Sequence, residues 1–236
     1  MRRAPFILLF AALFIQNASA QKILFKDENL KSALLNQGFD RNKDGEIEVS
    51  EIDTVTKLNV SKKNIKSLDD LKYFKNLKDI NANNNQIENL DVFFDNPIIE
   101  GIYVGNNPLG KHLILKNIKN LKWFVAFRSN LESIDFSGTN AIEHLYILDN
   151  DFENMAFPNL TNLKGLVVSG NKKLKSIDIS SNKKLDQLDA LDTSISKLNV
   201  VNNPLLSLLY VEKRVQLIKG KNQSNIKPAP IIKVDL

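Results

Sequence analysis

A repeat of about 22 residues constrains this chain more than any other feature, because self-similarity at a fixed period commits a sequence to stacking one unit on the next. The pattern is apolar, two residues, apolar, one residue, apolar, two residues, asparagine, one residue, apolar. Leu77, Ile80, Ala82, Asn85 and Ile87 fill it. So do Ile99, Ile102, Val104, Asn107 and Leu109, and again Ile142, Leu145, Ile147, Asn150 and Phe152. Leu163, Leu166, Val168 and Asn171 keep it, with Leu174 one place late. Copies over 121–131, 185–195 and 205–215 carry Ser129, Thr193 and Lys213 in place of asparagine. A weaker first copy has Leu58, Val60, Lys63 and Ile65. The third apolar position gives a ruler through Val60, Ala82, Val104, Ala126, Ile147, Val168, Ala190 and Tyr210, with steps of 22, 22, 22, 21, 21, 22 and 20.

Apolar residues two apart are the signature of a strand buried on one face. No single copy can bury that face alone, so stability comes from stacking and the open ends need caps. The asparagine ends each strand, where its amide can bond backbone groups left free at the turn. Ser129 and Thr193 can partly replace it through a hydroxyl, whereas Lys63 and Lys213 are donors only and stand in the first and last copies. The repeat closely resembles the leucine-rich repeat family. That resemblance implies a curved solenoid with a parallel sheet on its inner face. The expected fold is therefore an α/β solenoid over 56–215 with a concave parallel sheet of about eight strands. A helix-loop-helix over 21–55 would cap its N-terminal end, and residues 216–236, with Pro228 and Pro230, would form a C-terminal cap or tail.

Asp40-Arg41-Asn42-Lys43-Asp44-Gly45-Glu46-Ile47-Glu48-Val49-Ser50-Glu51 matches the EF-hand calcium loop at each required position. Calcium needs six to eight oxygens around one point. Asp40, Asn42 and Asp44 would face the inside of a tight loop, and Gly45 permits the sharp turn. Glu46 would give its carbonyl, Glu48 would act through a water, and Glu51 would close the site with two oxygens. Asp27 is placed to cap a helix carrying Leu30, Leu34 and Leu35 on one side. A single EF-hand-like segment before short repeats resembles bacterial exported leucine-rich repeat proteins, internalin-like ones among them. That likeness implies a capping segment and recognition of protein or glycan.

Arg2 and Arg3, the apolar run Pro5–Ile15 and Ala18-Ser19-Ala20 before Gln21 form a secretory signal pattern over residues 1–20. The run is too short to span a bilayer, so the expectation is an exported chain, periplasmic or extracellular, with no integral membrane segment after cleavage. Zero cysteines exclude disulfides and thiolate chemistry. The formal charge of +5 becomes +3 on loss of Arg2 and Arg3, since 30 basic residues then face 27 acidic ones. The lysines are scattered, which reads as a solvated surface and not as a nucleic-acid footprint. Acidic neighbours such as Asp69 and Asp70 read the same way.

Catalysis finds little support, since no Gly-x-Ser-x-Gly elbow, His-Glu-x-x-His pair or phosphate loop is present. The residues between the inward ones point to the concave face. In the last copy these would be Ser207, Leu209 and Val211. The first two copies are polar there. From the third onward Tyr103, Trp123, Val125, Phe127, His144, Tyr146, Leu148 and Val167 would form one patch, and apolar patches of this kind mark interaction sites. The expected function is a calcium-binding recognition module for a protein or peptide ligand. A glycan ligand on the same face, or a structural spacer, is the alternative. The tail folding over this face, or a second copy packing on it, would be the bland use of the patch.

Overall fold

The structure is a computed structural model that describes residues 21–228; the signal segment and Pro230 lie outside the described residues. The chain winds into a leucine-rich repeat solenoid of three-residue strands. Three come first: β1 (Lys57–Asn59), β2 (Asp79–Asn81) and β3 (Gly101–Tyr103). Strands of the outer and inner sides then alternate: β4 (His112–Ile114), β5 (Trp123–Val125), β6 (Ser133–Asp135), β7 (His144–Tyr146), β8 (Asn154–Ala156), β9 (Gly165–Val167), β10 (Ser176–Asp178), β11 (Gln187–Asp189), β12 (Lys197–Asn199), β13 (Leu208–Tyr210) and β14 (Gln216–Ile218). β1, β2 and the odd-numbered strands from β3 to β13 form one parallel eight-stranded inner sheet.

The middle residue of each inner strand points into the core. Leu58, Ile80, Ile102, Phe124, Leu145, Leu166, Leu188 and Leu209 are all buried and stand in register across the sheet. The ruler residues Val60 to Ala190 form the next buried row. The last copy departs from the expected frame by one residue. Gln187 pairs with Leu208 and Asp189 with Tyr210, so Leu208 and Tyr210 face the concavity while Leu209 and Val211 are buried. Leu206 is 5% exposed and Leu205 58%, which shows that Leu206 opens the copy. The ruler thus ends at Val211, and its last step is 21. In this frame Arg214, not Lys213, takes the asparagine position, and its guanidinium donates to the carbonyls of Thr193 and Ile195.

The asparagines do what the spacing requires. Asn171 Nδ2 donates to the carbonyls of Ile147 (3.0 Å) and Val168 (2.7 Å), and its Oδ1 accepts from Asn150 N. Asn150 Nδ2 likewise donates to Ala126 O and Ile147 O, and Asn107 Nδ2 to Ala82 O and Val104 O. Each amide therefore ties its own turn to the preceding one. Ser129 reaches only Phe127 O, and Thr193 only Ala190 O.

Among the described residues helix is confined to the cap and to short turns. The first two copies carry 3-10 turns on the convex side at Asp69–Tyr73 and Asp91–Phe93. Later copies carry strands there, paired two by two as β4–β6, β8–β10 and β12–β14. A second buried row supports them. Thr139 donates to Leu115 O, Asn182 to Phe157 O and Leu160 O, Asn203 to Ile179 O and Asn182 O, and Gln223 to Val200 O and Asn203 O. The position between Thr139 and Asn182 is Leu160, which has no side-chain donor. At that point the outer layer opens. Most Cα atoms of β6 and β8 stand more than 8 Å apart, and Phe136 and Phe157 meet edge to face at 6.4 Å beside a cleft of about 100 Å³.

The cap is stitched to the first repeat. Helix α1 (Glu28–Asn36) starts at Asp27, whose Oδ1 accepts from Asn29 N and Leu30 N, as an N-cap should. Its Oδ2 accepts from Lys66 N (2.7 Å) and Ser67 N (3.0 Å) in the first repeat. Asp70 is not a solvated residue: it is 1% exposed and accepts from Lys26 N and Asp27 N. Helix α2 (Val49–Ile52) follows the acidic loop.

Candidate functional site

All eight residues assigned to the concave patch lie on the inner face and are half-buried. Trp123 and His144, paired between β5 and β7, stack with ring centroids 3.7 Å apart and planes inclined by 14°. Tyr146 meets Trp123 edge-on at 6.1 Å. Three glycines make room for these rings to lean over the neighbouring backbone. A Cβ at Gly105 would overlap the Phe127 ring, one at Gly165 would stand 2.7 Å from His144 Nδ1, and one at Gly101 would stand 3.0 Å from the Tyr103 ring. The result is a contiguous aromatic platform contributed by three neighbouring repeats, those of β3, β5 and β7.

Burial shapes the chemistry of this surface. It pushes the His144 imidazole below its ordinary value of 6.5, so the ring is neutral at neutral pH and stacks without carrying charge. His144 Nδ1 is buried without a hydrogen-bond partner among the described residues. Burial, with the charges of Asp79 and Asp186 respectively, holds the Tyr103 and Tyr146 phenols protonated to higher pH than usual. The two histidines stand on opposite faces, since His112 is exposed on β4 and bonds Ser133 Oγ at 2.8 Å.

In the cap loop, Lys43 (φ 62°) and Gly45 (φ 83°) take left-handed conformations that fold the chain tightly. Asp40 accepts from Asp44 N and Gly45 N, Asn42 Oδ1 from Asp44 N, and Asp44 Oδ1 from Glu46 N. Glu51 Oε1 accepts from Arg41 N and Asn42 N, and its Oε2 from Glu48 N. Lys22 pairs with Asp44 at 2.7 Å and Lys31 with Glu46 at 2.8 Å. Among the described residues no three carboxylate or imidazole side chains already converge at metal distance. Glu48 and Glu51, however, are 3% and 6% exposed, and neither has a cation within ion-pairing distance among the described residues. The segment before the helix lines the loop, with Ile23 N donating to Ile47 O and Val49 N to Gln21 O.

No family model matches the chain, and no curated protein matches it. Solved structures do. Internalin C2 of Listeria monocytogenes superposes with a TM-score of 0.67 at 18% identity, over 88% of this chain and 95% of that one. The functional domain of InlJ from Listeria monocytogenes, which includes a cysteine ladder, superposes with a TM-score of 0.63 at 21% identity over 75% of this chain, which spans 38% of that one. These likenesses are of fold: leucine-rich repeat solenoids built from parallel strands. This chain has no cysteine, and asparagines hold its turns. Among the described residues no helix is long and apolar enough to cross a membrane.

Proposed function

We propose that this protein is an exported recognition module that holds a protein or peptide ligand on its concave face. The observation that carries this reading is the contiguous aromatic platform of Tyr103, Trp123, Phe127, His144 and Tyr146 on an inner sheet whose first two repeats present Asn59, Asn81 and Asn83 instead. Polar residues are the ordinary choice for a solvated strand face, and a contiguous aromatic patch marks contact with a partner. Tyrosine and tryptophan supply large contact area, and they concentrate binding energy at interfaces. The internalin-like solenoid is compatible with this use, because its curvature presents an extended concave surface.

The test is affinity capture with the exported chain, whose N-terminal residue should read Gln21. Trp123→Ala or Tyr146→Ala should weaken binding of the captured partner by roughly 1–3 kcal/mol, with little change in melting temperature because both residues are half-exposed. If both variants bind as the parent does, the concave face is not the site. A glycan is the second reading, favoured by the Trp123–His144 stack, whose flat face suits a sugar ring. A glycan array run beside the capture separates the two. In the cap, the acidic loop would take one calcium ion through Asp40, Asn42, Asp44, the Glu46 carbonyl, Glu48 and Glu51. The all-oxygen donor set supports this, as do the buried Glu48 and Glu51, which have hydrogen-bond donors but no ion-pair partner among the described residues. Binding would require Glu51 to exchange its backbone N–H partners for the ion.

A further inference from the structure

We propose that the ligand presents a lysine or arginine side chain whose cation lies on the aromatic platform, beside the carboxylates of Asp186 and Asp189, so that the partner of this face is a basic peptide segment. The inference rests on the reading that the concave face is the binding surface.

The charge arrangement is the first support. The chain as a whole is cationic, with a formal charge of +5, yet its cations are kept off the platform. Of the two residue rows that cross the inner strands, only Lys57 carries positive charge, and it pairs with Asp79 at 3.7 Å. The lysines along the rim are also occupied. Lys78 and Lys122 both bind Glu100, at 3.3 and 2.8 Å, and Lys164 binds Glu143 at 2.7 Å. On the opposite rim Arg128 binds Asp149 at 3.1 Å. Asp186 ends the first of these rims, and Asp189 faces the concavity on β11. Neither has an ion-pair partner among the described residues. Asp189 is nonetheless held in place, its Oδ1 accepting from Leu191 N and its Oδ2 from Ser169 Oγ, both at 3.1 Å.

The second support is the platform itself. Aromatic faces attract cations through their quadrupoles, tryptophan most strongly. Trp123 and Tyr146 are bracketed by carboxylates whose fields reach the site: Asp79 acts on Tyr103, and Asp186 acts on Tyr146 and His144. His144 is neutral and so does not repel a cation. The His144 ring leans over Gly165 and so extends the aromatic surface toward β11, the strand that carries Asp189. An anionic ligand would meet ring faces and carboxylates here, and Lys122, Lys164 and Arg128 in the repeats that carry the rings are already engaged. A guanidinium or ammonium on an extended chain would meet complementary groups throughout, and charge complementarity of this kind selects partners.

Selection of a random displayed peptide library on the immobilised protein tests this, run in parallel on the parent, on Asp186→Asn/Asp189→Asn and on Trp123→Ala/Tyr146→Ala. Parent-selected peptides should be enriched in lysine and arginine. A synthetic copy of the best one should lose about tenfold in affinity to the doubly neutralised variant and should weaken further as salt is raised. Melting curves confirm that each variant is folded. Platform-dependent selection of acidic or uncharged peptides overturns the cationic inference while leaving the concave face as the site. Selection that ignores Trp123 and Tyr146, or none at all by the parent, overturns the concave reading and this inference with it.

Discussion

At the scale of single residues, the buried asparagines are what the fold can least spare. Asn171 is fully buried and satisfies two carbonyls and one N–H. Leaving a buried polar group unpaired costs about 1–3 kcal/mol, so Asn171→Ala should lower unfolding stability by about 3 kcal/mol in a denaturant titration. Ser129 offers the opposite experiment. It occupies an asparagine position but makes no bond to the preceding turn, and Leu109 N there falls back on Asn107 O. Ser129→Asn should therefore add about 1 kcal/mol. A neutral or destabilising result would mean that the turn after Asn107 and Pro108 cannot accept the amide.

At the scale of elements, the inner strands were legible because their inward residues are strongly apolar at a fixed period. The outer strands follow the same alternation at Leu113 and Leu115, Ile134 and Phe136, Ile177 and Ile179, and Leu198 and Val200. They escape a first reading because polar residues flank them, as with Ser133 and Asp135. Thr139, Asn182, Asn203 and Gln223 form a second ruler that has meaning only once those strands are seen. The one-residue shift in the last copy is hidden by two adjacent leucines, Leu205 and Leu206, of which only burial selects the second. The platform residues were legible by alternation, but the packing of their rings was not, because it depends on which neighbour folds over which glycine. The cap loop was legible as a motif. The two carboxylates that join cap and first repeat, Asp27 from the cap and Asp70 from the repeat, were not, since sequence separation hides that contact. Through this stitching, calcium held by the loop would stabilise the solenoid as well. An ion that binds only the native chain, at a hundredfold excess over its dissociation constant, adds about 2.7 kcal/mol. Asp40→Ala or Glu51→Gln should abolish that increment in thermal melts. Titration calorimetry with no calcium heat on the intact chain would end the calcium reading.

At the scale of the whole molecule, the inner sheet is continuous while the outer layer is stitched in twos, with the widest break between β6 and β8 beside Leu160. The strands lie across the long axis, so tension applied at the two ends would open the inner sheet one hydrogen-bonded strand at a time, like a zip and not like a bolt in shear. Such a molecule yields at low force. The outer pairs β4–β6, β8–β10 and β12–β14 bind neighbouring turns together, so turns should detach two by two. Each event would then free roughly 43 residues, or about 140–155 Å of chain at the extended length per residue. In a single-molecule pulling trace, spacings of that size would mark the seams, and spacings of half that size would show that the outer pairing contributes nothing to cohesion. Built this way, a protein fixed at one end and gripped at the other lengthens in steps while its remaining turns keep their shape, and so behaves as a compliant tether.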